Sequence, residues 1–217
     1  MASHPAVSST RLLVLGAVRI MEPAHGYLVM RELGTWKVDA WANLKPGSIY
    51  NALRSLTKAG LLTEERTGDD RGGPGGKAVY RLTPDGQVEF ESLVRDSLWR
   101  LHPWDAAVLM SGVSFWWVLS RQEVLDALDA RRVQIEAWLG ANRYQEDGIL
   151  RSASTPDHVA EHFRLAAARM HGELEWTESV ARRVKEGEYV FRGEDLGELE
   201  KLSAPGATPG PRPPTMD

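Results

Sequence analysis

Lys45-Pro46-Gly47-Ser48-Ile49-Tyr50-Asn51-Ala52-Leu53 is followed by Gly60-Leu61-Leu62 and then, past a glycine-rich tip, by Tyr80-Arg81-Leu82-Thr83. Ile49, Ala52, Leu53 and Leu56 recur at i, i+3, i+4 and i+7, the spacing of one buried helical face. Pro46 falls in the first turn, where a missing N–H costs little. The opposite side carries Ser48, Asn51, Ser55 and Lys58, with Tyr50 and Arg54 on its flanks. Gly60 is a natural C-terminal stop. Residues 61–67 and 77–83 then read as two strands; in the second, Ala78, Tyr80 and Leu82 alternate with Lys77, Val79 and Arg81. The tip between them, residues 68–76, holds five glycines and a proline and is expected to be irregular and mobile. A short helix running into a two-stranded hairpin is the order of a winged helix-turn-helix. In that module one helix enters the DNA major groove and the hairpin touches the backbone beside it.

Upstream, Leu12, Leu15, Gly16 and Val18 space as one face of a first helix behind Ser9 and Thr10, and Glu22-Pro23 ends it. Residues 25–33 read as a second short helix, and residues 34–44 as a connection carrying Trp36 and Trp41. Downstream, Thr83 caps and Pro84 opens a helix that continues through Phe90, Val94 and Leu98 to Leu101. His102-Pro103 marks a domain boundary. Residues 105–119 read as one buried aromatic helix. Residues 122–139 (Leu125, Leu128, Ile135, Leu139) and 157–185 (Phe163, Met170, Leu174, Ala181, Val184) carry long apolar seams suited to helix pairing within or between chains. The expected organisation is a flexible leader (1–8), a winged-helix domain (9–101), a helical dimerisation domain (104–187) and a largely disordered Pro/Gly-rich tail (188–217). The fold class is mainly α with a small β-hairpin wing.

The 217 residues, 42% of them hydrophobic, suffice for one or two domains with real cores. No cysteine is present, so disulfides and thiol chemistry are excluded. No run approaches the roughly 18–20 apolar residues of a membrane helix, and no signal-type segment opens the chain, so a cytoplasmic protein is expected. The net charge of −4 is unevenly spread: residues 1–100 hold 13 basic and 11 acidic residues, residues 101–217 hold 13 and 19, and residues 45–81 hold 7 and 4. Nucleic-acid binding depends on the local potential, so a modestly positive stretch suffices if two copies act together.

The series His25-Gly26-Tyr27, the Pro46 to Leu53 stretch, Gly60-Leu61-Leu62 and Tyr80-Arg81-Leu82-Thr83, over roughly residues 10–100, resembles the PadR family of bacterial transcriptional regulators. The resemblance implies a homodimer that binds an inverted-repeat operator in double-stranded DNA, usually as a repressor, and is often released by a small molecule. It places Ser48, Tyr50, Asn51 and Arg54 of the third helix nearest the DNA. Asn51 and Arg54 are types able to contact adenine and guanine bidentately. Lys58, Arg71 and Lys77 are expected to bind phosphates, and the Tyr27 hydroxyl to reach one as well. The family's wing commonly carries several basic residues before the Tyr-Arg-Leu-Thr run; here Gly75-Gly76-Lys77-Ala78-Val79 offers Lys77, with Arg71 earlier. Against these roles stands the blander reading of a solvated helix face and ordinary surface charge, which Arg66 beside Glu64 and Glu65 fits best.

Of eight tryptophans, Trp99, Trp104, Trp116 and Trp117 cluster with Phe115 near the domain boundary. They mark where a flat aromatic effector would stack, with plain packing the simpler alternative. His158 and His162 have metal-ligand spacing but lack a third partner and read as a surface pair. The Gly76-Lys77 step is not a phosphate-binding loop, because Arg71 and Ala78 stand where a glycine and a Ser or Thr are needed. Nothing points to catalysis, a metal or a cofactor. A winged-helix protein-interaction module without DNA binding is the alternative reading.

Overall fold

The structure, a computed structural model, describes residues 9–67, 77–152 and 154–194. The elements run α1 (Ser9–Met21), β1 (Ala24–His25), α2 (Gly26–Thr35), α3 (Val38–Trp41), α4 (Pro46–Lys58), β2 (Leu62–Thr67), β3 (Lys77–Leu82), α5 (Pro84–Trp99), α6 (Ala106–Val113), α7 (Arg121–Leu150) and α8 (Ala160–Lys185). The architecture is mainly helical, as the sequence leads one to expect. Among the described residues no helix is long and apolar enough to cross a membrane.

The hairpin is wider than expected. β1 pairs antiparallel with β3, so the sheet has three strands in the order β1-β3-β2. His25, expected in the second helix, is instead a strand residue opposite Val79. With β1 covering it, β3 does not strictly alternate: Val79 and Tyr80 are both buried. In β2 and β3 the register runs from Leu62 opposite Leu82 to Thr67 opposite Lys77.

The caps explain why the sequence breaks where it does. Gly60 sits at φ 74° after α4. Its N–H bonds the Thr57 carbonyl and the Leu61 N–H bonds that of Leu56. That pair of bonds is a Schellman turn, which satisfies helix-end carbonyls and redirects the chain into β2. Thr83 closes the other end of the hairpin. Its hydroxyl donates to the Gly60 carbonyl at 2.7 Å and accepts the Gly86 N–H at 3.0 Å, capping α5. The Gly-Leu-Leu and Tyr-Arg-Leu-Thr motifs therefore meet in one joint.

Helix α1 is not amphipathic in place. Leu12 through Val18 are all buried, because α2, α4, α5, α6 and β3 pack around it. A helix apolar all round belongs at the centre of a core. Gly16 is there for contact: a Cβ on it would sit inside the Phe115 ring. Phe115 packs edge-on to Phe90 at 5.4 Å and tilted against Trp36 at 5.6 Å. The apolar core is continuous from α1 into α7, α8 and Phe191, with no break at His102-Pro103.

The single helix expected over residues 105–119 is divided. α6 stops at Val113 and a 3-10 turn occupies Trp116–Val118. Three successive rings on one helix would point to three faces; the tighter turn sends Phe115 into the core and Trp116 onto Tyr189 and Phe191. α7 is capped by a reciprocal Ser120–Glu123 box and runs to Leu150, well past Leu139. It lies antiparallel to α8. Leu128, Ile135, Met170 and Val184 bury along the seam as expected, together with Arg131, which is 1% exposed.

The tail expected from residue 188 is ordered as far as Glu194. After α8 a second Schellman turn at Gly187 (φ 84°) returns the chain, and Phe191 is fully buried. Arg121 clasps this segment. It holds the Glu194 carboxylate through two bonds of 2.7 Å, donates to the Val184 and Tyr189 carbonyls, and lies over the Phe191 ring. The clasp joins residues about seventy positions apart, which no local pattern announces. The expected leader (1–8), the hairpin tip with Arg71, and the tail beyond residue 194 lie outside the described residues.

Candidate nucleic-acid interface and aromatic cavity

α4 buries Ile49, Leu53 and Leu56 against the core and turns Ser48, Tyr50, Asn51, Arg54, Ser55 and Lys58 outward. Arg54 Nη2 donates to Asn51 Oδ1 at 2.6 Å, one helical turn apart, so the two side chains act as a unit. Lys45, Arg54, Lys58, Arg66 and Arg81 are exposed. Among the described residues none of them enters an ion pair. Unpaired cations on a convex surface leave their full charge for an outside anion. Lys45, which precedes α4, is a member of this set that the sequence reading passed over; its place just outside the helix start was the available signal.

Beside α4 lies a cleft of about 240 Å³ between α2, α4 and β3, lined by His25, Gly26, Tyr27, Tyr50, Ala78 and Tyr80. A Cβ on Gly26 would stand 3.2 Å from the Tyr50 ring, so glycine lets α2 and α4 approach. Tyr27 is 58% exposed and Tyr50 40%. Arg31 lies over the Tyr27 ring at 5.9 Å. Tyr80 is buried, and that burial, followed by the Glu64 carboxylate, pushes its phenol above the usual tyrosine range. It stays a neutral hydroxyl at any working pH. Lys77 opens β3 opposite Thr67; nothing of its side chain or of Arg71 is described. The structure thus brings Tyr27, Ser48, Tyr50, Asn51, Arg54 and Lys58 onto α4 and the edge of α2 beside it.

The four tryptophans expected around an effector line none of the cavities formed by the described residues. Trp104 is 69% exposed and packs edge-on to Trp138 at 6.1 Å. Trp99 is exposed at the end of α5. Trp116 is against Tyr189 and Phe191, and Trp117 packs on the core. Sequence neighbours separate here because the chain turns at both 100–105 and 114–116. The tryptophan-walled cavity, of about 610 Å³, is built instead from Trp36, Trp41 and Trp176 with Leu109, Met110 and Val113. Ser114 and Glu173 complete it.

Two left-handed residues, Lys37 (φ 56°) and Asn43 (φ 50°), flank α3 and set the first two indoles. Such backbone is uncommon away from glycine and persists where surrounding contacts hold it. Here Trp41 Nε1 donates to the Trp36 carbonyl at 2.9 Å, and Trp36 Nε1 to Glu32 at 3.1 Å. Sequence reading missed this cavity because its walls come from residues 36–41, 109–114 and 173–176.

Residues 14–92, which span α4, the hairpin and most of α5, match the model of the transcriptional regulator PadR-like family. Over those residues the chain is similar to the PadR-like family. The PadR-like family is one of transcriptional regulators rather than enzymes, and the PadR-like match falls on the residues that carried the resemblance in sequence. Among solved structures, Bacillus subtilis PadR in complex with operator DNA is 26% identical, covering 80% of this chain and 98% of that one, with a TM-score of 0.35. The same protein in complex with p-coumaric acid is 23% identical, covering 82% and 99%, with a TM-score of 0.33. A PadR-like transcriptional regulator from Bacillus cereus is 16% identical, covering 85% and 99%, with a TM-score of 0.36. No curated protein matches the chain.

Proposed function

We propose that this PadR-like regulator acts as a homodimeric repressor on an inverted-repeat operator. Each protomer lays α4 in a major groove, and residues 104–187 supply the dimer contacts that set the distance between the two reading helices. One observation carries the reading: the outward face of α4 is a contiguous set of polar and cationic side chains without ion-pair partners among the described residues, inside the matched stretch. Ser48, Tyr50, Asn51 and Arg54 face the bases, while Lys58, Tyr27, Arg71 and Lys77 serve phosphates.

The Arg54–Asn51 bond refines the division of labour. It takes one of the two lone pairs of the Asn51 oxygen, the acceptor that adenine N6 would need. With that bond kept, the pair presents mainly N–H donors, which suits the O6 and N7 acceptors of guanine. A guanine at the centre of each half-site is the expected consequence.

The tryptophan-walled cavity is the effector site in this reading, in place of Trp99, Trp104, Trp116 and Trp117. It joins α3 of the DNA-reading half to α6 and α8 of the helical half. A ligand that bound one relative placement of these elements better would shift the spacing of the reading helices, and so the affinity.

Fluorescence-anisotropy titration against the DNA upstream of its own gene, at two salt concentrations and with scrambled competitor, tests the proposal. Binding that survives competitor and weakens with salt supports it. A salt-insensitive failure to bind any DNA, with a monomer by sedimentation, contradicts it.

A further inference from the structure

Apart from the apolar walls and Ser114, whose hydroxyl donates to the Met110 carbonyl, the polar groups among the described lining residues are the Glu173 carboxylate and the Trp176 indole N–H. Glu173 is held by Arg131, whose Nε and Nη2 both donate to Oε1, at 2.9 and 2.6 Å. Among the described residues Oε2 receives no hydrogen bond. Arg131 is 1% exposed, is not part of the lining, and turns its remaining donor to the Leu98 and Arg100 carbonyls. The pair is neutral as a whole, but its acidic member lines the cavity and its basic member does not. Among the described residues no Lys, Arg or His lines the space.

The indoles point the same way. The N–H groups of Trp36 and Trp41 are consumed inside the protein, so these rings offer a ligand only their π surfaces. Those faces are electron-rich and attract cations, tryptophan most strongly. A volume of about 610 Å³ takes a drug-sized molecule. We infer that the cavity binds a planar organic cation, with Trp36, Trp41 and Trp176 against its rings and Glu173 Oε2 on a charged N–H. The inference rests on the cavity being the effector site. It disfavours planar carboxylates, which would meet the Glu173 carboxylate and, among the described residues, no cationic side chain.

Calorimetric titration of the DNA-free protein with three tricyclic probes tests this: 9-aminoacridine (cation), 9-anthracenemethanol (neutral) and 9-anthracenecarboxylate (anion). The cation should bind at least about tenfold tighter than the anion. Trp176→Ala should weaken all three. Glu173→Gln should bring the probes to similar affinity by weakening the cation alone. If that variant fails to fold, because Arg131 is left unpaired, the double change Glu173→Gln with Arg131→Met should give the same levelling. Anion binding equal to the cation's, still sensitive to Trp176→Ala, would overturn the charge preference and leave the effector cavity standing. No binding of any probe would overturn the effector reading itself, and a dimer whose sedimentation depends on Met110 would then assign this face to a second copy.

Discussion

The outward face of α4 and the tryptophan-walled cavity are built in opposite ways. α4 displays exposed side chains from one stretch of thirteen residues, braced by the Arg54–Asn51 bond and, among the described residues, free of ion pairs. The cavity draws on three distant segments, with two indole N–H groups and an almost buried arginine committed to holding its walls. A surface that meets a polyanion in water needs charge kept loose and solvated. A site that encloses a small molecule needs rigid walls and a few placed polar groups. Mutations should therefore separate the two: the α4 face governs binding with little effect on stability, and the cavity walls govern both.

The strongest challenge to this contrast is Phe115→Ala. Phe115 touches Gly16 on α1, Phe90 on α5 and the cavity wall at Trp36, so its loss should cost about 3–5 kcal/mol by urea denaturation, in one cooperative transition. Two transitions, with the DNA-reading half unaffected, would mean the halves have separate cores. Next comes Trp41→Phe, which removes the bond to the Trp36 carbonyl while keeping most of the ring. A loss of about 0.5–1.5 kcal/mol is expected, with weaker probe binding and unchanged affinity for DNA.

The smallest effect concerns the start of α7, away from both regions. Glu123 is held down at about 2, against an ordinary 4.5, first by the Ser120 backbone N–H and also by the Ser120 hydroxyl and Arg95. Its folded value is depressed, so the stabilisation is present above about 4.5 and is lost as pH falls towards 2. Glu123→Gln should lower the melting temperature by roughly 2–4 °C at neutral pH, the scale of one lost cap. The gap between variant and parent should close through that acid window; a gap constant down to pH 2 would assign the loss to packing instead.

What was legible in sequence follows the same contrast. α4 could be read because its stripe, its proline start and its glycine stop all lie within fifteen residues. The Thr83 cap could be read for the same reason. β1 could not, since two residues have no period and exist as a strand only through partners at Val79 and Tyr80. The break after α6 was hidden because Phe115 leaves the helix to meet Gly16, a hundred residues upstream. The ordered segment around Phe191 depends on Arg121, and the cavity on Trp176 meeting Trp36 and Trp41 across the core. Composition placed a tryptophan cluster at 99–117, but proximity along the chain is a poor guide where the backbone turns twice.

The most direct test of the central claim is the ratio of operator to scrambled-DNA affinity for Arg54→Ala, measured by anisotropy at fixed salt beside the unaltered protein. The account predicts a loss of about 1–3 kcal/mol on the operator, a much smaller loss on scrambled DNA, and an unchanged melting temperature. Equal losses on both DNAs would reduce Arg54 to a phosphate contact, and no loss on either would remove α4 from the interface.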